Sequence, residues 1–152
     1  MSEARGEQGE SLLELLIAVA IMGIAVVAIM AGLVTSVLIS DVHRKQATAG
    51  TAVRDYAEAI QTSVADEHYV PCASATSYKP DALVPAFSAP SGFTPSVVAG
   101  TVRYWNGSSW QSSCSSDLGL QQLTIQVASS DGRATERVDV VLRKPCGLDT
   151  TC

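Results

Sequence analysis

The chain has 152 residues, 47% of them hydrophobic and 16% charged, which allows one compact core and excludes a disordered polar tail or a coiled-coil rod. Ten Lys and Arg against fifteen Asp and Glu leave a formal charge of −5, so no basic excess draws the chain onto a phosphate backbone. Nucleic acid is therefore not an expected partner. The apolar content is uneven: Leu15 to Ser40 contains no Asp, Glu, Lys, Arg or His, and all bases except Arg5 lie beyond Ser40. That pattern reads as a membrane segment followed by a polar domain.

From Leu12 to Ile39 the apolar run spans 28 residues, roughly 42 Å as a helix and longer than the roughly 30 Å hydrocarbon layer. A conventional secretory signal has an apolar region of only about 7 to 15 residues behind a positive start. The start here carries Glu3, Arg5, Glu7 and Glu10, so that reading fits poorly. A plain single-pass anchor is the simplest alternative, but Glu14 lies inside the run, where an unpaired ionisable group costs about 2.5 to 3.5 kcal/mol near the bilayer centre and less near its edge. Cleavage after Gly9 creates a new amino terminus four residues ahead of that carboxylate. The two charges then meet between neighbouring helices, where Coulomb attraction at about 4 Å is worth about 4 kcal/mol at an effective dielectric near 20.

The stretch GESLLELLIAVAIMGIAVVAIM, from Gly9 to Met30, resembles the signal of type IV prepilins and type II secretion pseudopilins: a short polar leader ending in Gly, then an apolar helix with Glu at its fifth position. The resemblance implies removal of residues 1–9 by a membrane-embedded prepilin peptidase that is also an N-methyltransferase. Glu10 becomes the first, methylated residue, and the mature chain assembles with other pilin or pseudopilin subunits at a membrane platform. Two departures stand out. Glu10 occupies a position where the family usually has Phe or another apolar residue, and the leader lacks a basic excess. Arg5 before the run against Arg44 and Lys45 after it makes the positive-inside rule favour the opposite orientation; the cysteines and the motif place the C-terminal domain outside the cytoplasm.

Within the run Ala28, Gly32 and Ser36 recur every four residues, a small-residue stripe that lets helix backbones approach closely. Gly23 and Gly32 each weaken the helix by about 1 kcal/mol relative to Ala. Beyond Ser40, Val42, Ala49, Val53, Tyr56, Ile60 and Val64 recur at helical spacings, opposite Arg44, Thr48, Thr51, Asp55 and Glu58. Pro71 disfavours helical geometry at Val70, which predicts a helix end near Tyr69. Residues 71–95, with five prolines, read as a loop with a short strand at Ala82–Val84. Strands are expected at Ser96–Trp105, Leu120–Ala128 and Thr135–Arg143, with turns at Asn106-Gly107 and Ser130-Asp131-Gly132. The fold class is α+β: a long N-terminal helix, its first half in the membrane, packed on a small antiparallel sheet, as in pilins. The expected divisions are leader 1–9, assembly helix 10–40, amphipathic half 41–70 and extracytoplasmic β domain 71–152.

Cys72, Cys114, Cys146 and Cys152 allow three full pairings, which sequence leaves open. Cys72–Cys114 with Cys146–Cys152 is the expected set, the first tying the loop to the sheet and the second securing the tail. The spacings lack paired CxxC ligands, so no metal site is expected. His68 beside Asp66 and Glu67 reads as a solvated helix terminus, and His43 lies at the membrane end. Asn106-Gly107-Ser108 fits a glycosylation sequon but equally a tight turn, and Tyr104, Trp105 and Trp110 read as packing residues. No nucleophile elbow, metalloprotease, phosphate-loop or dinucleotide motif is present. The expected role is a structural one without cofactor: a membrane-inserted subunit of a pilus or secretion pseudopilus, of minor or pseudopilin type, with a non-polymerising membrane-anchored binding domain as the alternative.

Overall fold

The computed structural model describes residues 7–80, 84 and 87–146, with side chains from residue 12. In chain order the elements are α1 (Glu7–Ala65), β1 (Phe93–Val97), β2 (Arg103–Trp105), β3 (Trp110–Gln111), β4 (Leu120–Ser129) and β5 (Thr135–Arg143). The chain divides into two compact units, residues 1–41 and 42–152.

In the first unit, Leu, Ile, Ala and Met without a proline sustain unbroken helix, and every side chain from Leu12 to Ser40 is exposed. This helix is long and apolar enough to cross a membrane. In the second unit, Ala49, Val53, Tyr56, Ile60 and Val64 are buried, with Ala52, Ala59 and Ser63 filling the gaps between them. The spacing of three and four puts them on one stripe. That stripe packs with Leu123, Ile125 and Val127 of β4 and Val140 and Leu142 of β5 in one core. Arg44, Thr51, Asp55 and Glu58 are exposed, while Val42 and Thr48 are half-buried.

The helix stops at Ala65, not near Tyr69. Glu67 takes the left-handed conformation at φ 69°, the His68 N–H reaches the Ser63 carbonyl at 3.1 Å and the Glu67 N–H the Val64 carbonyl at 3.2 Å. This is a Schellman cap made without glycine. The proline limits only Val70, whereas the cap ends the helix a turn earlier.

β4 is the centre of the sheet, and every pairing is antiparallel. β5 runs along one of its edges; β1 and β2 share the other, with β3 beyond β2. The expected strand Ser96–Trp105 is thus two strands. Between the pairs Val97↔Ile125 and Arg103↔Gln122, six steps of one strand face three of the other, so three extra residues loop out around Gly100 at φ 76°. The Thr101 hydroxyl repairs the gap: it accepts from the Thr124 N–H at 3.1 Å and donates to the Val98 carbonyl at 2.7 Å. β1 also begins at Phe93, inside the expected loop, with Pro95 tolerated on an edge strand. Val84 is buried but lies in no strand, and Ala82 is outside the described residues.

The β2–β3 hairpin turns at residues 106–109. The Asn106 Oδ1 accepts from the N–H groups of Ser108 and Ser109 at 3.0 and 2.9 Å, and Gly107 has φ 100°. Trp105 and Trp110 meet edge-on across it, with ring centroids 5.5 Å apart, while Tyr104 is in the core. The β4–β5 turn at Ser130-Asp131-Gly132 closes through Gly132 N–H to Ser129 C=O at 2.9 Å.

Candidate functional site

Gly9 and Glu10 lie in helical backbone near the start of α1. Glu14 follows Glu10 by four positions, so the two lie on one helix face about 6 Å apart along the axis. The Glu14 side chain is exposed; that of Glu10 is outside the described residues. Ala28, Gly32 and Ser36 recur at the same spacing, all exposed, and a Cβ built on Gly32 meets nothing within 4 Å. Thr35 satisfies its own hydroxyl by donating to the Ala31 carbonyl at 3.0 Å. The stripe therefore offers small side chains with the Ser36 hydroxyl as its polar group, a surface suited to close approach of a second helix.

In the globular unit the chain leaving α1 is fastened at Cys72 and Asp117. Cys72 is bonded to Cys114 across 42 residues, with Cα atoms 5.6 Å apart. The Asp117 carboxylate accepts from the Tyr69 hydroxyl (2.8 and 3.0 Å), the Cys72 N–H (2.9 Å), the Gly119 N–H (2.9 Å) and the Gln121 side-chain amide (2.6 Å). Burial opposes its charge, but these donors prevail and hold the carboxyl below the ordinary carboxylate range. Burial, then the bond to Asp117, pushes the Tyr69 phenol far above its usual range. Gln121, fully buried, also donates to the Val70 carbonyl at 2.8 Å. Tyr56 and Tyr104 add hydroxyl bonds to the carbonyls of Tyr78 (2.5 Å) and Ala73 (2.6 Å). The segment 69–78 is thus tied to helix and sheet by polar groups that all have partners, an arrangement that fixes shape and offers no reactive group.

Residues 4–30 match the family model described as the prokaryotic N-terminal methylation motif. The chain carries a prepilin-type cleavage and methylation signal. No curated protein and no solved structure matches it. The prepilin-type signal takes in Gly9, Glu10, Glu14 and Ala28 and stops short of Gly32 and Ser36. It supports a type IV pilin- or pseudopilin-like precursor, suggests with the apolar N-terminal helix a membrane anchor ahead of a C-terminal domain, and implies processing by a prepilin peptidase and assembly with other pilin subunits.

Among the described residues no group of three or more His, Cys, Asp or Glu is placed to hold a metal ion. His68 turns back onto its own helix end, its Nδ1 3.3 Å from the Ser63 carbonyl. Cys146 is disulfide-bonded, and its expected partner Cys152 lies outside the described residues. The sequence reading of this prepilin-like chain missed Asp117, whose partners are far away in the chain except Gly119 and Gln121. It also missed the ion pair of Lys45 with Asp131, 2.5 Å apart, which links α1 to the β4–β5 turn. The Lys45 bond, together with donors from Ser129 and Arg133, holds Asp131 well below the ordinary carboxylate range.

Proposed function

We propose that this chain is a structural subunit of a type IV pilus or type II secretion pseudopilus, of minor or pseudopilin type. It enters the membrane with its amino end in the cytoplasm, loses residues 1–9, and moves laterally into a helical filament through residues 10–39. The observation that carries this reading is the methylation motif over residues 4–30 on a helix with every described side chain exposed up to Ser40. Glu14 pairs with the freed amine of a neighbouring Glu10, which relieves the cost of a carboxylate in lipid and sets axial register. The stripe Ala28, Gly32 and Ser36 packs against adjacent helices, and the small domain supports a minor role as well as a major one.

Intact-mass measurement of the chain from cells that hold the peptidase tests the processing step. Loss of Met1 to Gly9 is expected, and Gly9→Val should abolish it. A wild-type chain that keeps its leader is instead a plain membrane-anchored domain. Glu14→Gln and Glu14→Val should leave membrane insertion intact and lower filament incorporation at least tenfold; normal incorporation of both variants would defeat the pairing.

A further inference from the structure

The two layers of the globular unit present outer faces of opposite charge. On the sheet side turned away from α1, the register sets Arg137 beside Gln126, Asp139 beside Thr124 and Arg143 beside Leu120, with Arg103 beside Gln122 on the other edge of β4. All three arginines are exposed. The one carboxylate among them, Asp139, accepts from the Thr124 hydroxyl at 2.6 Å. On the opposite side, α1 turns Asp55 and Glu58 outward, and Asp66 and Glu67 follow its last turn, four carboxylates against the two exposed bases Arg44 and Arg54. A chain of net charge −5 has therefore placed a positive face back to back with a negative one.

The negative face also has a receptacle. Ala47, Thr48, Thr51, Ala52, Asp55 and Pro90 line an open groove of about 370 Å³. The Thr48 and Thr51 hydroxyls are committed to the carbonyls of Arg44 (3.0 Å) and Ala47 (3.2 Å), so the ionised acceptor in the groove is Asp55. Apolar walls ending in one carboxylate match an arginine, with methylenes along Ala47, Ala52 and Pro90 and the guanidinium at Asp55.

We propose that a second copy of this chain docks its sheet face over this groove, with an arginine of β5 directed at Asp55. The two surfaces differ, so the contact is heterologous and repeats from copy to copy without closing, the geometry of a growing filament. The inference rests on the reading of the chain as an assembling subunit. It adds a contact between globular domains that is independent of Glu14 and weakens with salt.

The test uses the full chain in cells with the peptidase and assembly machinery, with a photoreactive benzoylphenylalanine in place of Thr51. Irradiation should join this position to the segment 135–143 of another copy. Reversing the sheet face (Arg137→Glu with Arg143→Glu) or the helix face (Asp55→Lys with Glu58→Lys) should cut the adduct at least tenfold, and reversing both should restore it. An adduct elsewhere, or reversals without effect, overturns the docking. Loss on sheet-face reversal that helix-face reversal does not rescue also overturns it, and assigns the arginines to a polyanion. Intact mass and filament recovery from the same cells separate the two readings. A chain that keeps its leader and stays out of filaments sinks both, whereas a trimmed, filament-bound chain without the adduct sinks the docking alone.

Discussion

Asp117 shows how much one residue organises. Its two oxygens receive five contacts from four donors on two stretches of chain, 69–72 and 119–121, and Cys72, one of those donors, sits at φ 53°, which side chains rarely adopt. Asp117→Asn keeps the size but replaces one acceptor oxygen with a donor amide facing donors. Leaving buried donors unmet costs about 1 to 3 kcal/mol, so the variant is expected to melt about 5 to 15 °C lower in thermal unfolding followed by circular dichroism. The pH dependence has a definite sign. The folded carboxyl titrates below its unfolded value of about 3.9, so its contribution is complete above that value and is lost as pH falls through the lower folded one. The wild-type curve should therefore fall more steeply than that of Asp117→Asn below about pH 4; parallel acid limbs would mean that the carboxylate is not the stabilising form. Tyr69 acts at the other end. Its raised phenol keeps its contribution below about pH 10 and loses it as pH rises above that.

At the scale of elements, the sequence was legible where periodicity carried the signal. The alternation of Leu123, Ile125 and Val127 and the three-four spacing of Val53, Tyr56, Ile60 and Val64 both became the core, because burial on one face leaves a period that needs no knowledge of the partner. What failed was punctuation. Glu67 ends the helix with no glycine to announce it, and the break between β1 and β2 hides in a run that reads as continuous strand. Gly100 was the visible hint, yet the residue that makes the break tolerable is Thr101, through two bonds that only the fold reveals. Thr101→Val keeps the shape and removes the hydroxyl, leaving the Thr124 N–H without that acceptor. A loss of about 1 to 2 kcal/mol is expected, with amide exchange at Thr124 faster by about tenfold or more, while Thr101→Ser stays close to wild type. Unchanged exchange at Thr124 in Thr101→Val would show that the strand pair does not depend on the side chain. The methylation motif was legible for a related reason: it is a local word over residues 4–30, whereas Asp117 finds Tyr69 and Cys72 across 48 and 45 residues, a relation with no local trace.

For the whole molecule, the two units solve different solvent problems. Every large apolar side chain from Leu12 to Ile39 is exposed, whereas the buried core runs from Ala52 to Leu142 and uses nothing before Val42. The first unit therefore presents an exposed apolar surface, and the second contains its own core, its Cys72–Cys114 bridge and its Lys45–Asp131 pair. A chain cut to residues 42–152 should then be soluble without detergent and unfold in one cooperative transition, within a few degrees of the full chain in detergent. Reduction of its disulfides should lower that transition sharply, since a bridge closing a loop of this length stabilises by about 4 kcal/mol in the chain-entropy account. Calorimetry on both chains checks this. A truncated chain that aggregates or melts over a broad range would mean that the apolar first half of α1 is needed to nucleate the helix on which the sheet packs, since a helix of about two dozen residues draws most of its stability from that packing and not from its own propensity.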